Sequence, residues 1–355
     1  MSIDESLITS EVLENTLKRE VFPEVKVISP PKMGKVRTVY NVGNEKLVLV
    51  SSDNLSTHDV VHKRRVYGKG DNLNAISSYY FDITRSIIPN HLIKTLGPNT
   101  WLTHKLSPVL VEMVFRKYLT GSAWDDYFKA DGPNKGMEFC GVWLRPGYRK
   151  NEILDEVIFT PTAKGQVKDF PIPEFVELNP NKDDPKLTLE IIRKNYKAFG
   201  LKYPVDINFL RETAFILYNT IHTDLQTKGH LLADTKWEFG YTPDEEIVLI
   251  DECVTPDSSR FWSVADYQFN PEKNEFTIVQ ADKQPFRDYI EKLGLHTLDK
   301  KTELAEHWMI DNVLKAGVIR YGDIRETITG TPMEITTKPR KQEVLETLAS
   351  AGFLR

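Results

Sequence analysis

The sequence predicts an α+β fold, in which hairpin strands and helices occupy different stretches of the chain. Residues 233–239 alternate between apolar and charged side chains, which indicates a strand with one packed face and one solvated face. The turn residues Thr242–Glu245 and the apolar run Ile247–Ile250 complete a hairpin. Asp206–Lys228 and most of residues 284–330 have the periodicity of helices instead.

In chain order, the first predicted element is an amphipathic helix over residues 4–19, because its leucine, isoleucine and valine residues form one stripe. Gly34–Tyr40 then forms a glycine break between extended segments, and Lys46–Ser52 is an apolar strand. Tyr79–Ile88 reads as a helix that stops at Pro89. The later elements are the strand Val109–Leu119, the proline-rich loop Phe170–Pro185, the helix Thr188–Phe199, a helix over Asp206–Lys228 that ends before Gly229, and a short helix over Arg340–Ala351.

Composition restricts the class of protein. The 355 residues are 40% hydrophobic and 27% charged, as in soluble globular proteins, and this length predicts several packed lobes, here divided as 1–110, 111–265 and 266–355. A net charge of −5 without a long basic run disfavours nucleic acid or a membrane surface as a partner.

The cysteines and the N-terminus indicate the compartment. Cys140 and Cys253 are too few for a disulfide framework and wrongly spaced for zinc, which favours a reducing environment. No signal pattern opens the sequence, and no stretch has the length and apolarity of a membrane span. We therefore expect a cytoplasmic protein.

The predicted hairpin brings two carboxylates together. Glu238 should lie opposite or diagonal to Asp251, with Lys236 beside them. Converging carboxylates suit a hard cation that also binds phosphate oxygens. The alternative is a solvated hairpin face whose charges pair across the strands.

Two further segments have residue types that are typical of an anion-binding site. Gly34–Arg37 could place backbone N–H groups and the cations of Lys35 and Arg37 over a polyphosphate, or could be a plain hairpin turn. Arg116 and Ser122 flank a strand end and a glycine turn, a pattern that fits carboxylate or phosphate but also an ordinary surface.

The loop Thr255–Trp262 holds an acid, two hydroxyls and an arginine between a proline and two aromatic residues. Such polar, anchored loops are frequent at functional sites. A capped loop in which Arg260 pairs with Asp257 is the structural alternative. The polar run Ser51–Asp59 could bind a small polar substrate or form an Asx-rich turn. No nucleophile elbow and no serine–histidine motif is present, so covalent catalysis by the protein is disfavoured.

Taken together, these segments resemble the SAICAR synthetase family. The matching motifs run in order along residues 30–330, and they are Gly34–Tyr40, Ile88–Leu92, Val111–Ser122, Phe159–Lys164, Leu232–Trp262 and Asp282–Asp288. The resemblance implies an N-terminal antiparallel sheet lobe that covers the nucleotide, a central lobe similar to ATP-grasp enzymes and kinases, and C-terminal helices. Oligomeric state varies in this family, so a homo-oligomer stays open.

The resemblance also implies a reaction. ATP, an aminoimidazole ribotide that bears a carboxylate, and L-aspartate would give an amide, ADP and phosphate, with magnesium (Mg²⁺) as the metal. A carboxylate acylates poorly, so its phosphorylation would supply the leaving group that the amine of aspartate displaces. Phosphoryl transfer needs positioning and charge neutralisation, which explains a site rich in acids and bases.

Family roles carry over to matching positions only. The nucleotide would meet Lys35, Arg37, Val39 and Lys164; Mg²⁺ would be held by Glu238 and Asp251; and the ribotide phosphate would be held by Arg116, Ser122 and Arg260. Lys236 and Asp234 would line the carboxylate that is activated, and Ser56 and Asp59 would lie near the substrates.

Two departures keep alternative functions open. Where the family reads close to Asp-Arg-Ile-Ser-Ala-Phe-Asp, residues 53–59 read Asp-Asn-Leu-Ser-Thr-His-Asp. After Lys164, a run close to His-Asp-Glu-Asn-Ile-Ser is replaced by Gly165–Pro173, in which Asp169 is the one candidate substitute. The alternatives are a paralogous ligase that uses a different amine, and a non-catalytic nucleotide-binding regulator. The tail beyond Gly330 has no assigned role.

Overall fold

The structure is a computed structural model that describes residues 3–57, 60–164, 185–280 and 283–355. Its helices and antiparallel strands confirm the predicted α+β class. In chain order the α-helices are α1 (Ser10–Glu14), α2 (Lys69–Ile83), α3 (Gly121–Lys129), α4 (Gly132–Lys135), α5 (Leu189–Lys194), α6 (Asp206–Thr227), α7 (Gln284–Lys292), α8 (Lys301–Glu306), α9 (Asp311–Thr329) and α10 (Arg340–Ser350), with 3₁₀ turns at Glu5–Leu7 and Leu298–Lys300.

An antiparallel sheet is formed by the N-terminal part of the chain, in the order β1-β2-β3-β7-β6. Its strands are β1 (Lys32–Met33), β2 (Arg37–Gly43), β3 (Lys46–Ser51), β6 (Leu92–Gly97) and β7 (Thr100–His104). Successive side chains of β3 point to opposite faces of the sheet, and its apolar residues are buried on both faces. Leu49 packs toward α2, whereas Val48 and Val50 pack toward the C-terminal helix α10.

A second antiparallel sheet holds the charged hairpin. Its order is β12-β9-β14-β15, with β13 on β9 and with β8 and β16 on β14. The strands are β8 (Ser107–Pro108), β9 (Val111–Tyr118), β12 (Ile153–Phe159), β13 (Thr162–Ala163), β14 (His230–Tyr241), β15 (Ile247–Ile250) and β16 (Arg260–Ser263). Trp237 and Phe239 are fully buried, and the predicted hairpin is confirmed. Three short pairs complete the strands: β4 (Ser56–Thr57) with β5 (Val60–Val61), β10 (Met137–Phe139) with β11 (Val142–Leu144), and β17 (Gln268–Asn270) with β18 (Glu275–Thr277).

Helix α6 matches the predicted helix and covers the apolar face of the second sheet. Ile207, Leu210, Leu217 and Ile221 are fully buried at helical spacing, in the same core as Trp237. Among the described residues, no helix combines the length and apolarity that crossing a membrane would require.

Three predicted helices are wrong in their bounds. The helix predicted over Thr188–Phe199 ends at Lys194 and is followed by turns. Residues 4–19 form only a 3₁₀ turn and the short α1, because Asn15 leaves the helix and its side chain donates to the carbonyls of Thr336 and Lys338 in the tail. Helix α2 begins ten residues before Tyr79, at Lys69, and ends at Ile83. Its first turn is polar yet buried, so apolar periodicity could not indicate it.

The tail after Gly330 returns to the N-terminal sheet. Val344 and Leu348 of α10 pack against that sheet, and Arg340 is buried in an ion pair with Asp71 of α2. The backbone of Phe353 accepts a hydrogen bond from Lys26 at 2.8 Å. The last residues of the chain therefore form part of the N-terminal core.

Candidate active site

A row of charged side chains along β14 forms the axis of the candidate site. Asp234, Lys236 and Glu238 occupy alternate positions and therefore project from the same face of the strand. Each contacts an oppositely charged partner from another segment. Two-residue steps along a strand cover about 7 Å, so the three groups lie in line.

Strand register places Asp234 between two arginines. It lies opposite Arg116 on β9 and opposite Arg260 on β16. Arg116 Nη1 donates to Asp234 Oδ2 at 2.6 Å, and Arg260 Nη1 donates to the same oxygen. Two guanidiniums that share one carboxylate keep a net positive charge, which suits binding of a phosphate group.

The N-terminus of helix α3 lies beside these arginines. Gly121 has a φ of +54°, and a Cβ atom at this position would overlap the guanidinium of Arg260, so glycine permits the close approach. The next residue, Ser122, is exposed and lines the same cavity as Arg116 and Arg260. Backbone N–H groups in the first turn of a helix favour anions. The three residues predicted for the ribotide phosphate are therefore brought together.

Lys236 is the middle residue of the row. Its Nζ donates to Glu112 Oε1 of β9 at 2.6 Å. Burial alone would lower the pKa of Lys236, but the Glu112 carboxylate outweighs it and raises this pKa above its usual range. The ammonium group therefore remains charged at neutral pH beside the position where a substrate carboxylate would lie.

Glu238 and Asp251 form the acidic end of the row. Glu238 lies opposite Ile250, the last residue of β15, so Asp251 follows directly after the partner strand, and Lys164 pairs with Glu238. Burial, and then the Asp251 carboxylate, raises the pKa of Glu238. Burial would also raise the pKa of Asp251, but the cations around it hold this pKa below its usual range.

The carboxylates of Glu238 and Asp251 repel each other, and a divalent cation between them would relieve this repulsion. Among the described residues, no group of three or more His, Cys, Asp or Glu side chains is arranged to hold a metal. Glu238 and Asp251 could therefore supply two ligands, with further oxygens coming from substrate phosphates and water. Oxygen-only ligands of this kind fit Mg²⁺.

Arg37, on β2 of the N-terminal sheet, forms ion pairs at the acidic end of the row. Its guanidinium donates to Asp251 at 3.0 Å, to Glu252 at 2.7 Å and to the Ser51 hydroxyl at 3.1 Å. The side chain is buried and lies over the ring of Trp101. In this arrangement the guanidinium contacts two carboxylates, so its contact with ATP phosphates stays a prediction.

Three of the remaining predicted residues belong to other segments of the N-terminal part of the chain. Lys35 is exposed in the loop before β2, and Val39 is half-buried in β2 opposite Leu49. Ser56 is half-buried in the short strand β4. Asp59 lies outside the described residues. Contacts of these positions with nucleotide or substrates stay predictions.

A buried cluster around Asp257 was missing from the sequence prediction. Asp257 accepts from Lys69 at 2.5 Å and from the Tyr321 hydroxyl at 3.0 Å, and it pairs with Lys283 at 3.2 Å. Burial would raise the pKa of Asp257, but the lysines hold it far below its usual range. The alternative pairing of Arg260 with Asp257 is therefore wrong. The sequence contains one signal that could have indicated this cluster. It is the charged segment Gly68–Asp71, which no predicted strand or helix included.

A cavity of about 550 Å³ joins these groups. It is lined by Arg116, Ser122, Asp234, Lys236 and Arg260, and also by Asp257 and Lys283. One end therefore has the arginines and the α3 N-terminus, and the middle has the Lys236 ammonium. Glu238 lies two residues beyond Lys236 on the same strand face, and neither it nor Asp251 lines this cavity.

Comparison with known proteins gives consistent findings. A family model described as SAICAR synthetase matches residues 31–304. The phosphoribosylaminoimidazole-succinocarboxamide synthase of Saccharophagus degradans is 32% identical over 362 residues, which cover 92% of this chain and 94% of that protein.

Solved structures resemble this one along most of the chain. A SAICAR synthase from Saccharomyces cerevisiae, complexed with SAICAR, superposes with a TM-score of 0.70 at 26% identity and covers 89% of this chain and 99% of that chain. A type-2 SAICAR synthetase in complex with ADP has a TM-score of 0.57 at 24% identity, with coverage of 86% and 100%, and shows likeness of fold alone.

Proposed function

The chain belongs to the SAICAR synthetase family, and on this premise we infer that it is an ATP-dependent carbon–nitrogen ligase of purine biosynthesis. The reaction joins L-aspartate to carboxyaminoimidazole ribotide and yields SAICAR, ADP and phosphate. The SAICAR bound to the S. cerevisiae relative and the ADP bound to the type-2 relative correspond to its products. Cytoplasmic location and self-association stay predictions.

The ribotide phosphate is assigned to the arginine end of the cavity. Arg116 and Arg260 present two guanidiniums, and Ser122 adds a hydroxyl at the N-terminus of α3. Asp234 orients both arginines, so it acts as a positioning residue for the phosphate. The contact of Asp234 with the activated carboxylate, which the family resemblance implies, stays a prediction.

The substrate carboxylate is assigned to the middle of the row, beside Lys236. In the first step an oxygen of this carboxylate attacks the γ-phosphorus of ATP, and the bond from that phosphorus to the bridging oxygen of ADP breaks. Lys236 offsets the negative charge that accumulates around the transferred group. In the second step the amine of aspartate attacks the acyl carbon, phosphate leaves with the electrons of the carbon–oxygen bond, and the nitrogen loses a proton. Neither step uses a protein nucleophile.

Glu238 and Asp251 are the proposed ligands of Mg²⁺. When bound, the metal would neutralise phosphate charge during transfer. Within this chain, Lys164 and Arg37 hold the two carboxylates in place, and Lys164 would also approach the nucleotide. The supporting observation is that the two carboxylates are close enough for Asp251 to raise the pKa of Glu238, although Lys164 pairs with Glu238 and Arg37 pairs with Asp251.

One observation carries the proposal: one face of β14 aligns Asp234, which pairs with two arginines, the charged Lys236, and Glu238 of the acidic pair. The test is a coupled assay of ADP formation with ATP, ribotide and aspartate, in which each substrate is omitted in turn. We expect turnover that requires all three. ADP release that depends on ribotide but is indifferent to aspartate would contradict the assignment.

A variant pair tests the metal ligands. Glu238→Gln keeps the size of the side chain but removes its charge, and we expect kcat to fall about 100-fold or more. Glu246→Gln makes the same change at an exposed position in the turn of the same hairpin and should leave kcat unchanged. A fully active Glu238→Gln enzyme would exclude the role of Glu238.

A further inference from the structure

Lys186 is a cation of the phosphate end that the family resemblance does not assign. Its backbone position is fixed by pairing with the segment before it in the sheet. Residue 186 bridges Thr162, Ala163 donates to the Pro185 carbonyl at 2.9 Å, and Leu187 donates to the Pro161 carbonyl at 2.9 Å. The sheet therefore determines where this side chain points.

The next residues hold Lys186 from the other side. The Thr188 hydroxyl accepts from the backbone of Ile191 at 3.2 Å and caps helix α5. The backbone on both sides of Lys186 is thus hydrogen-bonded, and a side chain on such a frame is a better ligand than one on an unsupported loop.

The side chain of Lys186 enters the cavity that holds Arg116, Ser122 and Arg260. Its Nζ lies 4.5 Å from the ring centre of Phe139 and pairs with Asp126 of helix α3, the helix whose first turn carries Ser122. About a quarter of the Lys186 side chain is exposed, as is about a quarter of Asp126 (26% and 24%). Both side chains therefore form part of the cavity wall.

Three cations converge at this end of the cavity. Among the described residues, Arg116 and Arg260 share the Asp234 carboxylate, and Lys186 pairs with Asp126. Burial, and then repulsion from Arg116, lowers the pKa of Lys186. A dianionic phosphate would relieve the repulsion between the cations.

We propose that Lys186 is a third ligand of the ribotide phosphate, paired with Asp126 in the free enzyme and transferred to the phosphate when the ribotide binds. The inference rests on the proposed function, because it extends the phosphate site assigned to Arg116, Ser122 and Arg260. Asp126 then acts as a competitor of the phosphate for the same ammonium group.

This arrangement predicts opposite effects for the two members of the pair. Lys186→Met removes a charge-assisted contact and should raise the KM for ribotide about tenfold or more, while kcat and the KM values for ATP and aspartate stay within about twofold. Asp126→Asn removes the competitor and should lower the KM for ribotide. Lys186→Arg keeps a cation and should retain most of the affinity. The Ki of ribose 5-phosphate as a competitive inhibitor should follow the same order.

A purely structural pair would behave differently. Both neutralising variants would then lower the melting temperature by similar amounts and change the KM for ribotide in the same direction, which would overturn the proposal. Lys117→Met is the matched control, because Lys117 is half-buried on β9 and donates to the Leu154 carbonyl at 3.1 Å. It should leave the KM for ribotide unchanged.

The two levels of inference fail in different ways. If the unmodified enzyme forms no ADP that depends on ribotide, the proposed function is wrong. If that enzyme is active and Lys186→Met has an unchanged KM for ribotide and an unchanged Ki for ribose 5-phosphate, the role of Lys186 alone is wrong.

Discussion

Replacing Asp234 by asparagine tests the phosphate site most directly. In the structure this carboxylate accepts from Arg116 and from Arg260 through the same oxygen. Asparagine has nearly the same shape but no charge, so the two guanidiniums would face each other without an anion. The change therefore isolates electrostatics from packing.

The structure sets the expected magnitude. Removing one partner of a buried ion pair costs about 3–5 kcal/mol. Asp234 and Arg116 are shielded, with 8% and 11% of their side chains exposed, but Arg260 is 30% exposed and therefore partly solvated. We accordingly expect the free energy of unfolding to fall by about 3 kcal/mol, the lower end of that range.

The assay is urea unfolding with and without ribose 5-phosphate. Because the added phosphate replaces the missing anion, it should stabilise Asp234→Asn by more than it stabilises the unmodified protein. Asp244→Asn, at an exposed position in the turn of the same hairpin, is the control and should unfold like the unmodified protein. Equal unfolding of Asp234→Asn and the unmodified protein, with equal stabilisation by phosphate, would refute the electrostatic reasoning.

Three further predictions concern other buried ionisable side chains. Burial lowers the pKa of His91 from 6.5 to about 4. As the pH falls, the unfolded chain therefore binds a proton at this residue before the folded protein does. The contribution to stability is full above the unfolded pKa and is lost as the pH falls toward the folded pKa. Between pH 7 and pH 5 the free energy of unfolding should fall by about 2 kcal/mol, a loss that His91→Phe should remove in urea titrations. Arg340→Met leaves Asp71 buried without its main partner and should cost about 3 kcal/mol in the same assay, and an unchanged urea midpoint would contradict it. Arg37→Lys cannot hold two carboxylates in a fork and should raise, several-fold, the Mg²⁺ concentration that gives half-maximal ADP formation; an unchanged requirement would exclude the orienting role of Arg37.

The hairpin was predictable because its information is local. Alternation over residues 233–239 and the turn at Thr242–Glu245 fix which side chains share a face, and the observed pairing of Glu238 with Ile250 follows. Helix α6 was predictable for the same reason, since its apolar spacing extends over 22 residues. Local patterns also place Glu238 near Asp251, the two residues of the acidic end.

The partners of these charges were not predictable from local patterns. Arg116 is 118 residues from Asp234, and Arg340 is 269 residues from Asp71. Lys69 is fully buried although lysine is usually exposed, because Asp257 and the Tyr321 ring compensate its charge. A single sequence shows the charged residue but not the distant segment that neutralises it.

The position of the acidic pair explains why these distant contacts matter for function. Asp234 and Lys236 are held by residues of the second sheet, whereas Asp251 is held by Arg37 of the first. The proposed metal site therefore lies where the two sheets meet. Any displacement of the first sheet would move Arg37 and change the field at Asp251, while Asp234 would keep its partners. On the proposed assignments, the ribotide phosphate would contact the second sheet and helix α3, whereas the metal–nucleotide complex would contact residues of both sheets.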